Sequence, residues 1–169
     1  MNRTVTKKDI LELIGKIRKE LPDAAIRTSV IVGFPSETEK EFKELLDFID
    51  ETRFERLGAF EYSREEGTAA YSLKGQHSAK IKRERLEAVM QRQQKVSEDL
   101  NKKFLGKVIE VLIEEKDKEY YLGRSRYDAP EVDGLVYVNP SEKVIKPGDF
   151  VKVKITDTLE YDLVGEVSK

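Results

Sequence analysis

The spacing of apolar residues changes at Gly106, and this change limits the folds open to the 169-residue chain more than any other feature. Before Gly106 most apolar residues recur at helical intervals. After Gly106 they alternate with polar residues in about five short segments, with turns such as Lys146-Pro147-Gly148-Asp149 between them. Different periods in the two parts of the chain favour two domains, which we place at residues 1–101 and 102–169.

The first domain is predicted to contain three helices and two strands. In chain order we predict a helix opened by Thr6 and Asp9 and ended by Leu21-Pro22, a strand from Ala25 to Val32, a helix capped by Ser36 with Glu39, a strand from Leu57 to about Tyr62, and a long helix from Ser78 to about Lys103. The strand–helix–strand part is a βαβ unit, so its strands should be parallel with a right-handed crossover.

The second domain is predicted to be a small β-barrel. Its period-two segments run from Lys107 to Ile113, Tyr120 to Ser125, Leu135 to Val138, Phe150 to Thr156 and Leu159 to Val167. About five short strands within about 60 residues are typical of an OB-like barrel.

The composition excludes several kinds of chemistry. The chain has no cysteine, so it can hold no disulfide, no thiolate zinc site, no cysteine nucleophile and no thiolate-bound iron–sulfur cluster. Its one histidine, His77, is expected to be exposed near a helix start, and we predict no metal site. No run approaches the length of a membrane span and the N-terminus lacks a signal-peptide core, so we expect a cytoplasmic protein with no membrane partner.

The charges nearly cancel, with 31 Lys and Arg against 33 Asp and Glu. A net basic field for nucleic acid is therefore absent, although local basic patches remain open.

The carboxyl ends of the two parallel strands are the first candidate site, because ligands of α/β sheets lie beyond these ends. Gly33 permits close approach of the backbone, and Phe34 and Tyr62 could flank an adenine ring. The alternative interpretation is an ordinary strand-to-helix turn. Arg27, earlier in the first strand, either faces a barrel interior and meets a carboxylate or reaches solvent.

The stretch GRSRYDAPEVDG, from Gly123 to Gly134, is the second candidate site. It places two arginines and three carboxylates on a loop stiffened by Pro130. Carboxylates on a loop can recognise the Lys and Arg side chains of a basic partner. The alternatives are a solvated acidic loop and a calcium site, whose EF-hand spacing is absent here.

Several motifs resemble the later barrel strands of the radical-SAM methylthiotransferases. These motifs are Met1-Asn2-Arg3, RTSVIVGFPSET from Arg27 and GAFEYSREEGT from Gly58, although the family usually has Gly where Ser36 stands. The β-rich end resembles a TRAM domain, the OB-like module that closes these proteins. The resemblance implies a segment of a partial TIM-like (radical-SAM) barrel followed by a TRAM barrel, with Met1 as an internal methionine of a longer enzyme.

Two features favour the branch that methylthiolates an aspartate of small-subunit ribosomal protein S-twelve. The segment YSREEGT from Tyr62 has acidic residues where the tRNA-modifying branch tends to have Pro-Arg-Pro-Gly-Thr, and the Ala-Pro-Glu-Val-Asp-Gly of the loop is similar to the ribosomal-protein branch. The slightly acidic second domain also suits a basic protein substrate. A tRNA-adenosine methylthiotransferase, with RNA bound through Arg124, Arg126, Lys152 and Lys154, and a non-enzymatic binding module remain as alternatives.

The resemblance implies S-adenosylmethionine and two iron–sulfur clusters as cofactors of the complete enzyme. The cysteines that bind a cluster in the family are absent from this chain, so we expect the chain alone to be inactive and assign it no catalytic residue. The predicted supporting residues for S-adenosylmethionine are Arg27, Ser29, Gly33, Phe34, Phe60 and Tyr62. The predicted residues for recognition of the protein substrate are Arg124, Arg126, Asp128, Glu131 and Asp133.

Overall fold

The computed structural model describes residues 4–140 and 144–168. The Met1-Asn2-Arg3 motif of the resemblance lies outside the described residues. The chain divides into two compact units, Met1–Val96 and Ser97–Lys169. The domain boundary that we predict at residues 101 and 102 stays a prediction.

The first unit is built around a pair of parallel strands. Its elements are α1 (Lys7–Glu20), β1 (Arg27–Val32), α2 (Glu39–Thr52), β2 (Arg56–Glu61), a 3₁₀ turn (Ala69–Ser72) and the first part of α3 (Ala79–Asn101). Strands β1 and β2 pair in parallel from Arg27 opposite Arg56 to Val32 opposite Glu61. The predicted βαβ unit is therefore confirmed, whereas the larger TIM-like barrel stays a prediction.

The start of α2 differs from the sequence prediction. Thr38, not Ser36, caps this helix, and its side chain and that of Glu41 form a reciprocal capping box. Ser36 has φ of 66°, in the left-handed region, whereas an N-cap needs extended backbone. The prediction was wrong because Ser36 with Glu39 and Thr38 with Glu41 both satisfy the same sequence pattern. The capping box of Thr6 and Asp9 at the start of α1 is confirmed.

The two faces of the β1–β2 sheet have different surroundings. On one face Val32 and Leu57 join a core with apolar residues of the three helices, which include Ile14, Phe42, Ile49 and Val89. On the other face Ile31 is 44% exposed and its neighbour in register, Phe60, is 59% exposed. Side chains alternate between faces along a strand, so Arg27 and Ser29 share this open face with Ile31.

A partly buried ion pair joins α1 to the start of the sheet. Arg18 Nη1 lies 2.7 Å from Glu55 Oε1, and the Ile26 amide donates a 2.9 Å hydrogen bond to Glu55 Oε2. Burial alone would raise the pKa of Glu55, but the hydrogen bonds from Arg18 and Ile26 outweigh it and hold this pKa below its ordinary value.

The second unit contains a closed five-stranded barrel. Its strands are β3 (Val108–Lys116), β4 (Tyr121–Ser125), β5 (Val136–Val138), β6 (Phe150–Thr158) and β7 (Leu163–Val167), preceded by a 3₁₀ turn (Lys102–Phe104). The strand order is β3-β4-β5-β7-β6, and all pairs are antiparallel except β5 with β7. The predicted five-stranded barrel is confirmed.

The barrel encloses its own core. Fully buried side chains from β3, β5 and β6 meet inside it, among them Val111, Ile113, Val136, Val153 and Ile155. Gly123 is required in β4 because a Cβ there would come within 2.7 Å of Val111 Cγ1, closer than real atoms approach. Within the described residues, the helices are all too short or too polar to cross a membrane.

Candidate functional site

The strand-end turn, which we define as Gly33, Phe34 and Tyr62, lies at the carboxyl ends of β1 and β2. Gly33 has φ of 70°, and its amide donates a hydrogen bond to the Glu37 carboxylate. The Tyr62 amide donates to the Val32 carbonyl at 2.9 Å, which continues the parallel ladder. The rings of Phe34 and Tyr62 meet edge to face with centroids 5.2 Å apart, so they leave no gap for an adenine ring between them.

The segment 63–78 is fastened beside this turn. The Tyr62 hydroxyl donates to the Ala70 carbonyl at 3.1 Å, and Arg64 Nε donates to the Tyr71 carbonyl at 2.8 Å. The Ser36 amide donates to the Gly75 carbonyl at 2.8 Å. His77 is half-buried rather than exposed as we expected from its polar neighbours. The strand-end turn is thus held by the chain that follows β2.

The other three residues predicted for the cofactor lie on the open face of the sheet. Arg27, Ser29 and Phe60 are all exposed, so the interpretation in which Arg27 reaches solvent describes this structure. Gly58 lies opposite Ser29 in register. The open face therefore combines a guanidinium, a hydroxyl and an aromatic ring, while Gly33, Phe34 and Tyr62 form the turn at its end.

The sequence interpretation missed two cations of α3, of which Lys82 contacts the strand-end turn and Arg85 contacts the residues that follow it. Lys82 Nζ donates to the Tyr62 carbonyl at 2.7 Å, and Arg85 binds the carboxylates of Glu37 and Glu39. A signal was present in the sequence: Arg85 stands four residues from both Ile81 and Val89, in the apolar stripe of the helix. A charged residue at such a position needs a buried partner.

The loop of the second candidate site is shaped by its own carboxylates. Asp128 is buried, and its carboxylate accepts hydrogen bonds from the Ser125 hydroxyl at 2.5 Å and from the Ser125 amide at 3.3 Å. Asp133 Oδ2 accepts a 2.7 Å hydrogen bond from the Ala129 amide. Two of the three carboxylates of this loop therefore bind backbone or hydroxyl groups of the loop itself, and the recognition role of the loop stays a prediction.

Arg126 and Glu131 are the predicted recognition residues that lie exposed on this loop. Arg126 lies over the Tyr127 ring, with its guanidinium carbon 4.8 Å from the ring centroid. Glu131 has φ of 61°, a conformation that few residues other than Gly, Asn and Asp adopt. Arg124 lies on β4 rather than on the loop and pairs with Glu114 at 2.7 Å.

The outer face of the barrel carries an exposed aromatic ring that the sequence interpretation did not single out. Phe150, at the start of β6, is 66% exposed and pairs in register with Leu112 of β3, whose other neighbour is Arg124 of β4. Lys152 follows on the same face of β6 and is exposed. An exposed aromatic ring on the same face as a lysine and an arginine is a combination found in single-stranded nucleic acid binding sites.

Known proteins are similar in sequence to both units of the chain. The TRAM domain family matches residues 105–167, which contain the barrel. A protein named "Ribosomal protein uS12 methylthiotransferase RimO", from Clostridioides difficile strain 630, matches nearly the whole chain. It is 51% identical over 168 residues, which are 99% of the chain. By sequence, nearly the whole chain is thus similar to a part of this longer protein.

Two further relatives agree with this placement. The protein of Clostridium novyi strain NT is 50% identical over 99% of the chain, and that of Desulforamulus reducens is 51% identical over 100% of it. The chain spans 37–38% of the length of these curated relatives. The resemblance to methylthiotransferases of the ribosomal-protein branch is thus confirmed.

Proposed function

We propose that this chain is the part of a uS12 aspartate methylthiotransferase that supports S-adenosylmethionine binding and recognises the protein substrate. The observation that carries the proposal is the 51% identity over 99% of the chain to a protein of that name. The relatives are much longer than the chain, so the activity is proposed for a longer protein that contains these residues. We propose that the chain alone is inactive and that the protein acts in the cytoplasm, where it meets its ribosomal substrate.

The residues present do not fit an iron–sulfur cluster. Such clusters are held by cysteine thiolates, and the 169 residues contain no cysteine. We therefore derive no step through a cluster from this chain. The clusters that the family uses would be bound by other residues of the longer protein.

The open face of the β1–β2 sheet fits S-adenosylmethionine. Gly58 leaves this face without a side chain between Ser29 Oγ and the Phe60 ring, both 3.7 Å from the position of a Cβ. Phe60 would support the flat adenine ring, Ser29 would bond a hydroxyl or amine, and Arg27 would bind the carboxylate of the methionine part. When bound, S-adenosylmethionine supplies the radical chemistry that begins methylthiolation. Arg27, Ser29 and Phe60 would hold and orient it.

The charge of the second unit supports a basic protein substrate. From Gly106 to the end, 10 Lys and Arg stand against 14 Asp and Glu. Opposite charges steer association and suppress wrong partners more than they add affinity. We propose that Glu131 and Arg126 contact the substrate directly, whereas Asp128 and Asp133 keep the loop in shape.

Binding of the 169-residue chain to purified uS12 tests the recognition loop. We expect Glu131→Lys to weaken binding at least about fivefold, because it reverses a charge at the contact. Glu119→Lys is the matched control, since it makes the same charge change at another exposed position of the barrel. Equal weakening by both variants would show general electrostatic attraction, and no weakening by Glu131→Lys would remove the loop assignment.

Mass spectrometry of uS12 tests the activity itself. The complete gene product, loaded with its clusters, should add the mass of a methylthio group to one aspartate of uS12. Unmodified uS12 under conditions in which a tRNA becomes methylthiolated would replace this proposal by the tRNA branch. Modification of neither substrate would favour a non-enzymatic binding module.

The exposed ring of Phe150 supports RNA contact as a second candidate function. Stacking of a base on an aromatic side chain contributes about 1–3 kcal/mol, and nearby cations make the binding depend on salt. We expect Phe150→Ala to weaken tRNA binding about tenfold if this face binds RNA. Affinity for tRNA that is unchanged by Phe150→Ala and by Arg124→Ala would exclude this face as an RNA site.

A further inference from the structure

Two cationic side chains of α3, about one helical turn apart, contact the strand ends and the turn that follows β1. Lys82 lies against the first strand end, because a Cβ on Gly33 would come within 2.6 Å of Lys82 Cγ. The same side chain reaches the second strand end, where Nζ donates to the Tyr62 carbonyl at 2.7 Å and lies 5.1 Å from the centre of the Tyr62 ring. One lysine therefore contacts both β1 and β2 at their carboxyl ends.

Arg85 holds the turn that follows β1. Its side chain is 5% exposed, and Nη1 lies 3.0 Å from both the carboxylate and the carbonyl oxygen of Glu37. Nη2 bonds the carboxylate of Glu39 at the start of α2. The guanidinium also lies over the Phe42 ring, 5.1 Å from its centre.

Glu37 links Arg85 to the strand-end turn, because its carboxylate contacts both Arg85 and Gly33. The oxygen of Glu37 that pairs with Arg85, Oε2, also accepts the hydrogen bond of the Gly33 amide. Gly33 itself has φ of 70°, in the left-handed region, where the chain leaves the strand. Arg85, Glu37 and the Gly33 amide thus form a chain of direct contacts.

Stability alone does not account for the buried Arg85 at its position. Apolar residues of similar volume commonly replace a buried ion pair at no cost in stability. An arginine fork does what an apolar side chain cannot, because it fixes the direction of the groups it binds. Here the fixed groups are a carboxylate, a carbonyl and, through Glu37, a backbone amide at the end of β1.

We propose that Lys82 and Arg85 are positioning residues for S-adenosylmethionine. They set the strand-end turn beside the open face without contacting the cofactor themselves. This inference rests on the proposed function, because it takes the open face as the cofactor site. It adds that helix α3, rather than the strands alone, determines how well the cofactor is held.

Equilibrium binding of S-adenosylmethionine to the complete, cluster-loaded gene product tests this role. Lys82→Met and Arg85→Met remove the charges but keep the apolar stems, and Arg85→Lys keeps the charge without the fork. Arg92→Met is the matched control, because Arg92 lies on the same helix and pairs with Asp50 of α2 at 2.6 Å, away from the turn. The Kd for uS12 and the thermal midpoint are measured on the same samples.

We expect Lys82→Met and Arg85→Met to raise the Kd for S-adenosylmethionine about tenfold, because small misplacements of binding groups have large effects. Arg85→Lys should recover part of this loss, and the Kd for uS12 should stay unchanged. Arg92→Met should lower the thermal midpoint slightly and leave the cofactor Kd as it is.

Three results would overturn the inference. An unchanged cofactor Kd in both methionine variants would do so while the proposed function stands. An equal rise in Arg92→Met, or equal rises in the Kd for both ligands, would show a general effect of weakened folding. Wild-type protein that binds no S-adenosylmethionine would remove the proposed function and this inference together.

Discussion

The two units of this chain differ in how fully their strands are paired and their sheet faces are covered. In the barrel each of the five strands has two neighbours, so the sheet closes on itself and its apolar face is fully enclosed. The parallel sheet of the first unit has two strands, one covered face and one open face with Ile31 and Phe60 exposed. Barrel closure removes unpaired edges, whereas a two-stranded parallel sheet leaves edges and a face that further elements normally cover. The barrel can therefore be understood from its own residues, whereas the open face of the sheet has no such explanation within its own unit and is the place where we propose a ligand.

The largest expected effect contrasts the same substitution in the two units. Ile155→Ala leaves a cavity in the closed barrel core, where Ile155 is fully buried, and should lower the free energy of unfolding by about 2–5 kcal/mol. Ile31→Ala on the open face should cost less than about 1 kcal/mol. Chemical denaturation of both variants measures this difference. A cost for Ile31→Ala as large as that for Ile155→Ala would show that the open face is covered in solution.

The second effect concerns the ion pair that closes the other end of the sheet. Glu55→Gln should lower the free energy of unfolding by about 1–3 kcal/mol at neutral pH, because it weakens charged hydrogen bonds from Arg18 and Ile26.

The pH dependence of this effect has a definite sign. The folded pKa of Glu55 is lowered from its ordinary value of 4.5, so its contribution is complete above that pH and is lost as the pH falls below it. The difference between wild type and Glu55→Gln should therefore shrink in acid, as followed by thermal unfolding from neutral pH downward. A difference that stays constant with pH would contradict the role of the charge.

A smaller effect separates the two residues that compete as the cap of α2. Thr38→Ala should cost about 1 kcal/mol, because it removes the side-chain oxygen that accepts the Glu41 amide. Thr6→Ala is the matched control in α1, where the same capping box is present. Thermal unfolding of both variants should give similar losses. A larger loss for Ser36→Ala than for Thr38→Ala would restore Ser36 as the cap.

The smallest effect compares strained backbone in the two units. Ser36 and Glu131 have φ of 66° and 61°, one in each unit. Glycine relieves a left-handed conformation by about 1–2 kcal/mol but loses about 0.4–1 kcal/mol through greater freedom of the unfolded chain. We expect Ser36→Gly and Glu131→Gly each to raise stability by less than about 1 kcal/mol. Loss of stability in Ser36→Gly alone would show that its hydroxyl bond to the Lys74 carbonyl matters more.

Much of the fold follows from local patterns. The alternation after Gly106 predicted all five barrel strands, because period two places every second side chain in a single core. The βαβ unit was also predictable, since a short β-branched run, a capped helix and a second short run leave few other arrangements. The cap of α2 was not, because two overlapping patterns of equal quality differ in backbone conformation, which short sequence patterns do not encode.

The candidate sites were predictable in part. Sequence motifs located the strand ends and the loop from Gly123 to Gly134, since glycine, proline and charged residues interrupt the apolar patterns there. They could not show that Asp128 is buried against Ser125 or that Phe34 and Tyr62 contact each other. Such pairings depend on the direction of each side chain, and the conformation of a single turn residue can reverse that direction.

By itself, the sequence determined the order of the elements, the barrel, the parallel pair and the similarity to uS12 methylthiotransferases. These properties depend on the spacing of apolar residues, on turn residues and on sequence identity to other proteins, and all three are present in the linear sequence. The tertiary structure alone decided which carboxylates of the loop accept hydrogen bonds and which face of the sheet is open. It also brought Lys82 to the Tyr62 carbonyl, 20 residues away, and Arg85 to Glu37, 48 residues away. Those contacts join distant residues, and their energies depend on burial and direction, which appear only once the chain is packed.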